Sequence, residues 1–589
     1  MKRNIYILSA LLAGAVGLTG CSDFLDKQSA AYDSDGFYRT DAGLDEGVTG
    51  AYALVPFNLN WDVPPTMVQD VYSPYALQDQ ENTTIGAGGG LTPDQSYVNS
   101  YWAGHYNIVA RANSVIDGAK TDRSDMSDMY KARLAEVKFI RAYAYYNLMT
   151  TFGDVPFFTS SVTPDQYGAG RTDKKEITDY IVAELNEIAE SGDLAWKTAN
   201  RGRTDRAAVY ALISRYCLFA GSLDFGGEGR EYFKKAAAAA SEAMAHRHLA
   251  GKFNDLFTLA GQEKADVLDE ILWEIPYSTA GSRKVHRTRF GHTSRTVGGS
   301  SVRFPSSLLA CTFECKDGKR IDESPLYDPK KPSANRDPRF RETLLCHGDT
   351  MQYTLSGNKA VLNVYDSKTR MFPNPRKPNE WYSGNNLDVS GVGASFAKPG
   401  NGLLWNKYNT DLTEGFSESS IDIIIMRMAE VYLTYAEAKI ELGEMDESVY
   451  EAINAVRRRA GMPDFDNARK GNQDLMRQIV RRERKVELAM EGVVFTDFRR
   501  WQIGDILNEH PIYGQPIDEI RYEGLTAADV PNFKTTQRHD INDVANFEHF
   551  KDKLTARDLQ RHWEPRFQWW PIPRADLDRD PNLTNPEGY

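Results

Sequence analysis

Two stretches of the chain set flat aromatic rings among planar polar side chains, outside any regular apolar period. Residues 56–101 carry Trp61, Tyr72, Tyr75 and Tyr97, together with Gln78, Asp79 and Asn82, in a segment rich in Gly, Pro, Asn and Asp. Residues 277–420, with many Gly, Pro, Arg and Asn, carry Trp381 and Tyr382. Exposed rings of this kind stack on apolar CH faces, and amides and carboxylates beside them hydrogen-bond hydroxyls, as a sugar-like ligand requires. That chemistry holds a ligand and does not transform it. The competing reading of each ring is packing beneath its own loop, so the argument rests on the cluster.

Other chemistries find less support in the residue pattern. A glycosidase needs two carboxylates across a cleft and a hydrolase needs a nucleophile with its base, and no acidic pair falls in such a motif. No catalytic residue and no cofactor is expected. Asp576, Asp578 and Asp580 alternate like a calcium loop, but Pro581 stands where an EF-hand needs Gly. Cys311, Cys315, Cys346 and His347 fit no standard zinc spacing, which leaves free thiols or a disulfide. Cys217, in an apolar helix, reads as a small buried hydrophobe. The net charge of -12 over 589 residues repels a phosphate backbone, so nucleic acid is not an expected partner. Residues 481–485, with Glu483 and Glu487 interleaved, read as a solvated helix face laced with ion pairs.

At the amino terminus Lys2 and Arg3 precede an apolar segment, residues 5–18, that is shorter than the roughly 20 residues a spanning helix needs. It ends in Leu18-Thr19-Gly20-Cys21, which looks like a bacterial lipobox. Residues 1–20 then form a signal peptide, and Cys21 carries the lipid anchor of a single domain, residues 21–589. Each acyl methylene buried in a membrane contributes roughly 0.8 kcal/mol. Residues 421–433 do not make a second membrane segment, because Asp422, Arg427 and Glu430 interrupt them.

The elements that must position the rings are helix pairs. In residues 421–463, Ile424, Met428, Val431, Tyr435, Ala438 and Leu442 recur at steps of four and three, and Gly443 ends that helix. Asp446 can cap a second helix striped by Val449, Ile453, Val456 and Ala460, and Gly461 with Pro463 stops it. The product is a tetratricopeptide-like αα-hairpin. Residues 102–118 with 128–151, and 175–189 with 204–220, repeat the arrangement, and 231–247 begins another. Residues 270–275 are β-compatible and open a loop-rich insertion at 277–420. The helical core thus covers about 40–275 and 421–505, with an irregular C-terminal segment at 506–589. Trp273, Trp501, Trp569 and Trp570 sit in apolar or framework segments and are expected in the core.

Motifs along the whole chain strengthen this reading. Cys21 is followed by Ser22-Asp23-Phe24-Leu25-Asp26, and Arg141-Ala142-Tyr143 leads to Gly153-Asp154-Val155-Pro156. Phe313 with Asp317-Gly318-Lys319-Arg320, and Asn335 to Phe340 (NRDPRF), come next. Then follow Arg427, Tyr432, Ala436-Glu437-Ala438, Glu483-Arg484, Glu487, Glu491-Gly492, Asp497 and Arg500-Trp501. The tail has Pro571-Ile572-Pro573, Asn582-Leu583, Asn585-Pro586 and Gly588-Tyr589. The set, in this order, resembles the SusD/RagB family of outer-membrane lipoproteins. It departs at Val493-Val494, where the family usually has a basic residue. The resemblance implies a mainly α fold with about four tetratricopeptide-like helix pairs, plus a large loop-rich insertion with minor β-structure. It implies a surface lipoprotein over a SusC-type TonB-dependent transporter that captures oligosaccharides, or sometimes peptides, without catalysis. Ligand residues vary within the family, so none is carried over by position. Peptide capture and a purely protein-binding scaffold stand as the alternatives to glycan capture.

Overall fold

The computed structural model describes residues 34–59, 63–78, 91–278, 286–295, 299–352, 359–366, 370–373, 381–384, 389, 401–409, 419–508, 511–534, 544–558 and 561–589. Its longer helices are α1 (Asp41–Tyr52), α2 (Ser96–Asp117), α3 (Asp128–Phe152), α4 (Lys174–Ser191), α5 (Arg206–Ser222), α6 (Gly229–Met244), α7 (Met428–Leu442), α8 (Glu447–Arg459), α9 (Gln473–Glu487) and α10 (Val493–Arg500). Short polar side chains hold the first free N–H groups of several of them. Ser127 Oγ accepts from Tyr130 N ahead of α3 (3.0 Å), Asp205 from Ala208 N ahead of α5 (2.9 Å) and Asp446 from Ser448 N ahead of α8 (2.9 Å). Gly443 ends α7 at φ 75, a left-handed turn that a Cβ would strain.

The predicted hairpins form: α2 packs on α3, α4 on α5, and α7 on α8. Helix α6 packs on α5 and also on α7, so the repeat cut by the insertion closes again in space. Helix α3 is buried without a break from Phe139 to Phe152, and polar residues within that span are paired there, Arg141 donating to Glu184 (2.7 Å) and Asn147 to the Tyr143 carbonyl (2.9 Å). Helix α7 buries two faces rather than the one its stripe suggested. Met428, Val431 and Ala438 join the main core, while Ala429, Leu433, Ala436 and Ile440 meet Val449, Ile453 and Val456 of α8 and Met476, Ile479 and Val480 of α9.

One helix boundary needs correction. Ile424 lies not on α7 but in strand β2 (Ile423–Arg427), antiparallel to β1 (Ile271–Ile275), and α7 starts only at Met428. Three consecutive isoleucines suit a strand covered on both faces, and both strands are buried along their whole length. The insertion otherwise holds short antiparallel pairs such as Leu344–Leu345 with Leu404–Trp405, and short helices such as Ser307–Thr312. The C-terminal segment adds Ile512–Pro516 paired with Leu554–Asp558.

A second correction concerns α9. Its charged run is not a solvated face, because every residue from Gln478 to Glu487 is buried. The partners come from distant segments. Glu487 accepts from Arg427 (2.6 Å), Arg339 (2.8 Å) and Arg459. Arg427 also holds both oxygens of Glu491 (2.7 Å each) and one of Glu270 (2.9 Å). Lys407 completes this set on Glu491 (2.6 Å) and on the carbonyls of Glu487 and Ala489 (3.1 and 2.8 Å). Arg339, from the Asn335 to Phe340 motif, joins Asp337 and Glu483, and Arg336 binds the carbonyls of Ala310 and Phe313. That motif therefore fixes its own turn and also plugs into the network.

Two predictions follow from these charges. Replacing Arg427 with Met leaves Glu270, Glu487 and Glu491 without their shared cation, and should lower stability by roughly 3–5 kcal/mol, read from the urea midpoint. A loss below about 1 kcal/mol would contradict it. The second concerns Glu437, whose carboxyl burial would raise but which Arg500, Arg484 and Arg481 hold down at about 2, against an ordinary 4.5. In that window the native state binds fewer protons than the unfolded chain, so this contribution is full above pH 4.5 and lost as pH falls toward 2. The Tm of Glu437→Gln should therefore fall less steeply than that of the parent below pH 4.5, and parallel curves would refute the assignment.

Candidate functional site

The structure does not present the first group of predicted rings to solvent. Tyr72, Tyr75 and Tyr97 are 2%, 1% and 7% exposed, and Gln78 is 8% exposed in a strand paired with Arg303–Pro305. Tyr72 stacks on Tyr97 (5.3 Å, 26°), and both meet Trp570 edge-on (5.1 and 5.6 Å). These residues belong to the core and are not stacking platforms. The reason is local geometry: Pro65–Met67 and Gln69–Tyr72 are 3-10 turns, whose period of three leaves no helical stripe although residues 63–78 are buried throughout. Lost periodicity does not by itself mean exposure.

The backbone of Trp381 and Tyr382 forms a strand, Trp381–Gly384, paired with Arg370–Pro373 in a two-stranded ribbon. Trp61, Asp79, Asn82 and Cys21, the residue expected to carry the lipid anchor, lie outside the described residues. Cys217, Cys311, Cys315 and Cys346 are free, so the disulfide alternative falls. No group of three potential metal ligands occurs among the described residues.

A cleft of about 670 Å³ opens where the end of α3 meets the C-terminal tail, and its aromatic lining is Trp569 together with the buried Phe152. Trp273, Trp501 and Trp570 are core, each 2% exposed, but Trp569 is half-buried, which corrects its assignment. Gly153 (φ 76) makes room for it, since a Cβ there would come within 3.1 Å of the indole. The signal was the adjacent pair: Trp569 has extended backbone (φ -122, ψ 146), in which neighbouring side chains point to opposite faces, so Trp570 goes inward and Trp569 outward. The Arg499 guanidinium lies 5.6 Å from the ring. Buried against the Thr151 and Gln568 carbonyls, with no carboxylate partner among the described residues, it is lowered to about 9 by desolvation.

Polar groups surround the ring. Asp154 accepts from Lys174 Nζ (3.1 Å), Glu564 pairs with Arg566 (2.7 Å), and Arg171 donates to the Asn585 carbonyl (3.2 Å). Gln568 and Glu587 complete the rim. The arrangement offers one flat apolar face with planar donors and acceptors around it, which suits a hydroxyl-rich ring compound. Tyr167, 73% exposed and four residues before Arg171, is a further open ring that sequence reasoning missed.

A scaffold of helix pairs with a ligand-sized cleft at its edge and an irregular insertion defines a helical-repeat binding protein, and comparison with known proteins narrows the class. The model of the SusD family matches residues 269–589, and a model described as starch-binding associating with outer membrane matches residues 23–218. The chain belongs to the SusD family. Similar proteins include SusD-like protein P25 of Formosa agariphila, 24% identical over 82% of this chain and 87% of that protein. The starch-binding protein SusD of Bacteroides thetaiotaomicron is 22% identical over 78% of this chain and 77% of that one. The fold matches a crystal structure of a SusD-like carbohydrate binding protein from Bacteroides fragilis with a TM-score of 0.71 at 22% identity, covering 93% of this chain and all of that one (100%).

The placement of Tyr72 is testable. Tyr72→Ala removes a ring packed against Tyr97 and Trp570, and should cost about 3–5 kcal/mol of stability by chemical denaturation, as large-to-small core changes do. A cost near zero would put the ring back at the surface.

Proposed function

We propose that this protein is a cell-surface lipoprotein, anchored in the outer membrane through Cys21, that captures a glycan and hands it to a SusC-type TonB-dependent transporter without acting on it chemically. The observation that carries the reading is the Trp569 cleft, in which an open indole stands among charged and amide groups able to bind hydroxyls. Family membership supports it, as does the similarity to the starch-binding protein SusD of Bacteroides thetaiotaomicron. Among the described residues no helix is long and apolar enough to cross a membrane, consistent with attachment through the lipobox Cys21. Trp61, Trp381 and Tyr382 remain proposed ligand contacts beside Trp569.

Titrating intrinsic Trp fluorescence with a panel of polysaccharides tests the proposal. Trp569→Ala and Trp381→Ala should each weaken glycan binding by roughly 1–3 kcal/mol while the urea midpoint stays put. Unchanged affinity in both variants removes the site assignment. Saturable binding of peptides with no response to any glycan replaces the function with peptide capture of the RagB type.

A further inference from the structure

Four arginines crowd the place where α5, α6, α7, α9 and α10 converge: Arg477, Arg481 and Arg484 from α9, and Arg500 from α10. Three carboxylates face them from within. Arg477 chelates Glu441 (2.7 and 2.8 Å), Arg500 chelates Glu437 (2.8 and 2.5 Å), and Asp497 is shared between Arg484 (2.8 Å) and Arg500 (2.9 Å). A fourth, Asp474, reaches only Arg477 (2.9 Å) and lies in solvent, 57% exposed. Among the described residues four guanidiniums thus face three interior carboxylates, and Arg481 is the one that stands beyond hydrogen-bonding distance of all three.

Arg481 is 9% exposed, and its Nε and Nη1 find no hydrogen-bond partner among the described residues. Its nearest carboxylate oxygens, on Glu437 and Glu441, stand 3.6 Å away, beyond hydrogen-bonding distance. The guanidinium lies over Trp501, 5.2 Å from the ring centroid. It borders a cavity of about 330 Å³, also lined by Ser222, Phe233, Arg477 and Arg500, in which Glu441 is the one carboxylate among the described residues. Burial lowers the guanidinium to about 10, so it keeps its charge at neutral pH. A buried cation with unmade hydrogen bonds costs free energy that an anion in the adjoining space would recover.

We propose that this cavity is a binding site for a small oxyanion, a carboxylate or a sulfate, with Arg481 as the principal donor. A guanidinium is the side chain best matched to planar or tetrahedral oxyanions, and a neighbouring aromatic face holds its plane. The cavity shares no lining residue with the Trp569 cleft, so this inference goes beyond the glycan reading and stands or falls separately. The anion is either an acidic substituent of a sugar or a free inorganic ion.

Calorimetric titration of the full mature chain with sodium sulfate and with sodium glucuronate tests it, with glucose as uncharged control and sodium chloride at matched ionic strength. Saturable binding of glucuronate alone identifies an acidic sugar, and binding of sulfate identifies the inorganic source; glucose and chloride should give none. Arg481→Gln should weaken binding at least about tenfold, or 1.4 kcal/mol. Glu441→Gln, which removes the competing carboxylate at the rim, should tighten it several-fold. No saturable binding of either anion, or equal binding in the parent and Arg481→Gln, overturns the proposal. Should Arg481→Gln fail to fold, Glu441→Gln decides, and unchanged or weaker binding there overturns it equally.

Discussion

The structure depends on one electrostatic constraint: Glu487 is buried and ionised, and every group that keeps it so comes from elsewhere in the chain. Burial alone would raise its carboxyl, but Arg459, Arg427 and Arg339 outweigh that and hold it far below the ordinary range. The members of the network around it, cations and further carboxylates alike, sort by origin. Glu270 closes the first run of helices, Arg339 and Lys407 belong to the insertion, and Arg427, Arg459 and Glu491 belong to the second run. A charge so placed is tolerated only when its partners are present together, because one missing partner leaves an unpaired ion out of water. The network therefore joins three parts of the chain that no local periodicity connects.

Around that joint the scaffold is conventional in its physics. Helices α3, α4 and α5 start on the local side-chain caps Ser127, Asp173 and Asp205, and α6 and α7 complete a pair that the sequence separates by the whole insertion. Strand β2 continues directly into α7 at Arg427, so the residue that binds Glu270, Glu487 and Glu491 also sets where the second helical run begins. The tail then lies against α3 through the cluster around Trp570, with Trp570 N donating to the Thr151 carbonyl (2.9 Å). Anchoring Trp570 in this way turns its neighbour outward, and the cleft wall follows from the alternation of an extended backbone. A candidate binding surface thus arises beside the core as a consequence of how the core is closed.

Much of this was legible beforehand. The hairpins, the Gly443 stop, the Asp446 cap and the insertion with its minor β-structure follow from patterns that a short window contains, since an amphipathic stripe encodes its buried face locally, and the family follows from the order of short motifs along the chain. The acidic balance and the Leu18 to Cys21 motif, which resembles a lipobox, are equally local properties of the sequence. Tertiary structure alone decided which rings are buried and which charges are paired. Tyr72, Tyr75 and Tyr97 stand in aperiodic chain, where exposure depends on what other segments cover them, and Trp570 covers two of them from nearly 500 residues away. The charged run on α9 looks like a solvated face until Glu314, Arg339 and Asp497 arrive from outside the helix. Local spacing determines which elements form, whereas burial of an irregular loop or an ion is settled by long-range contacts that spacing does not encode.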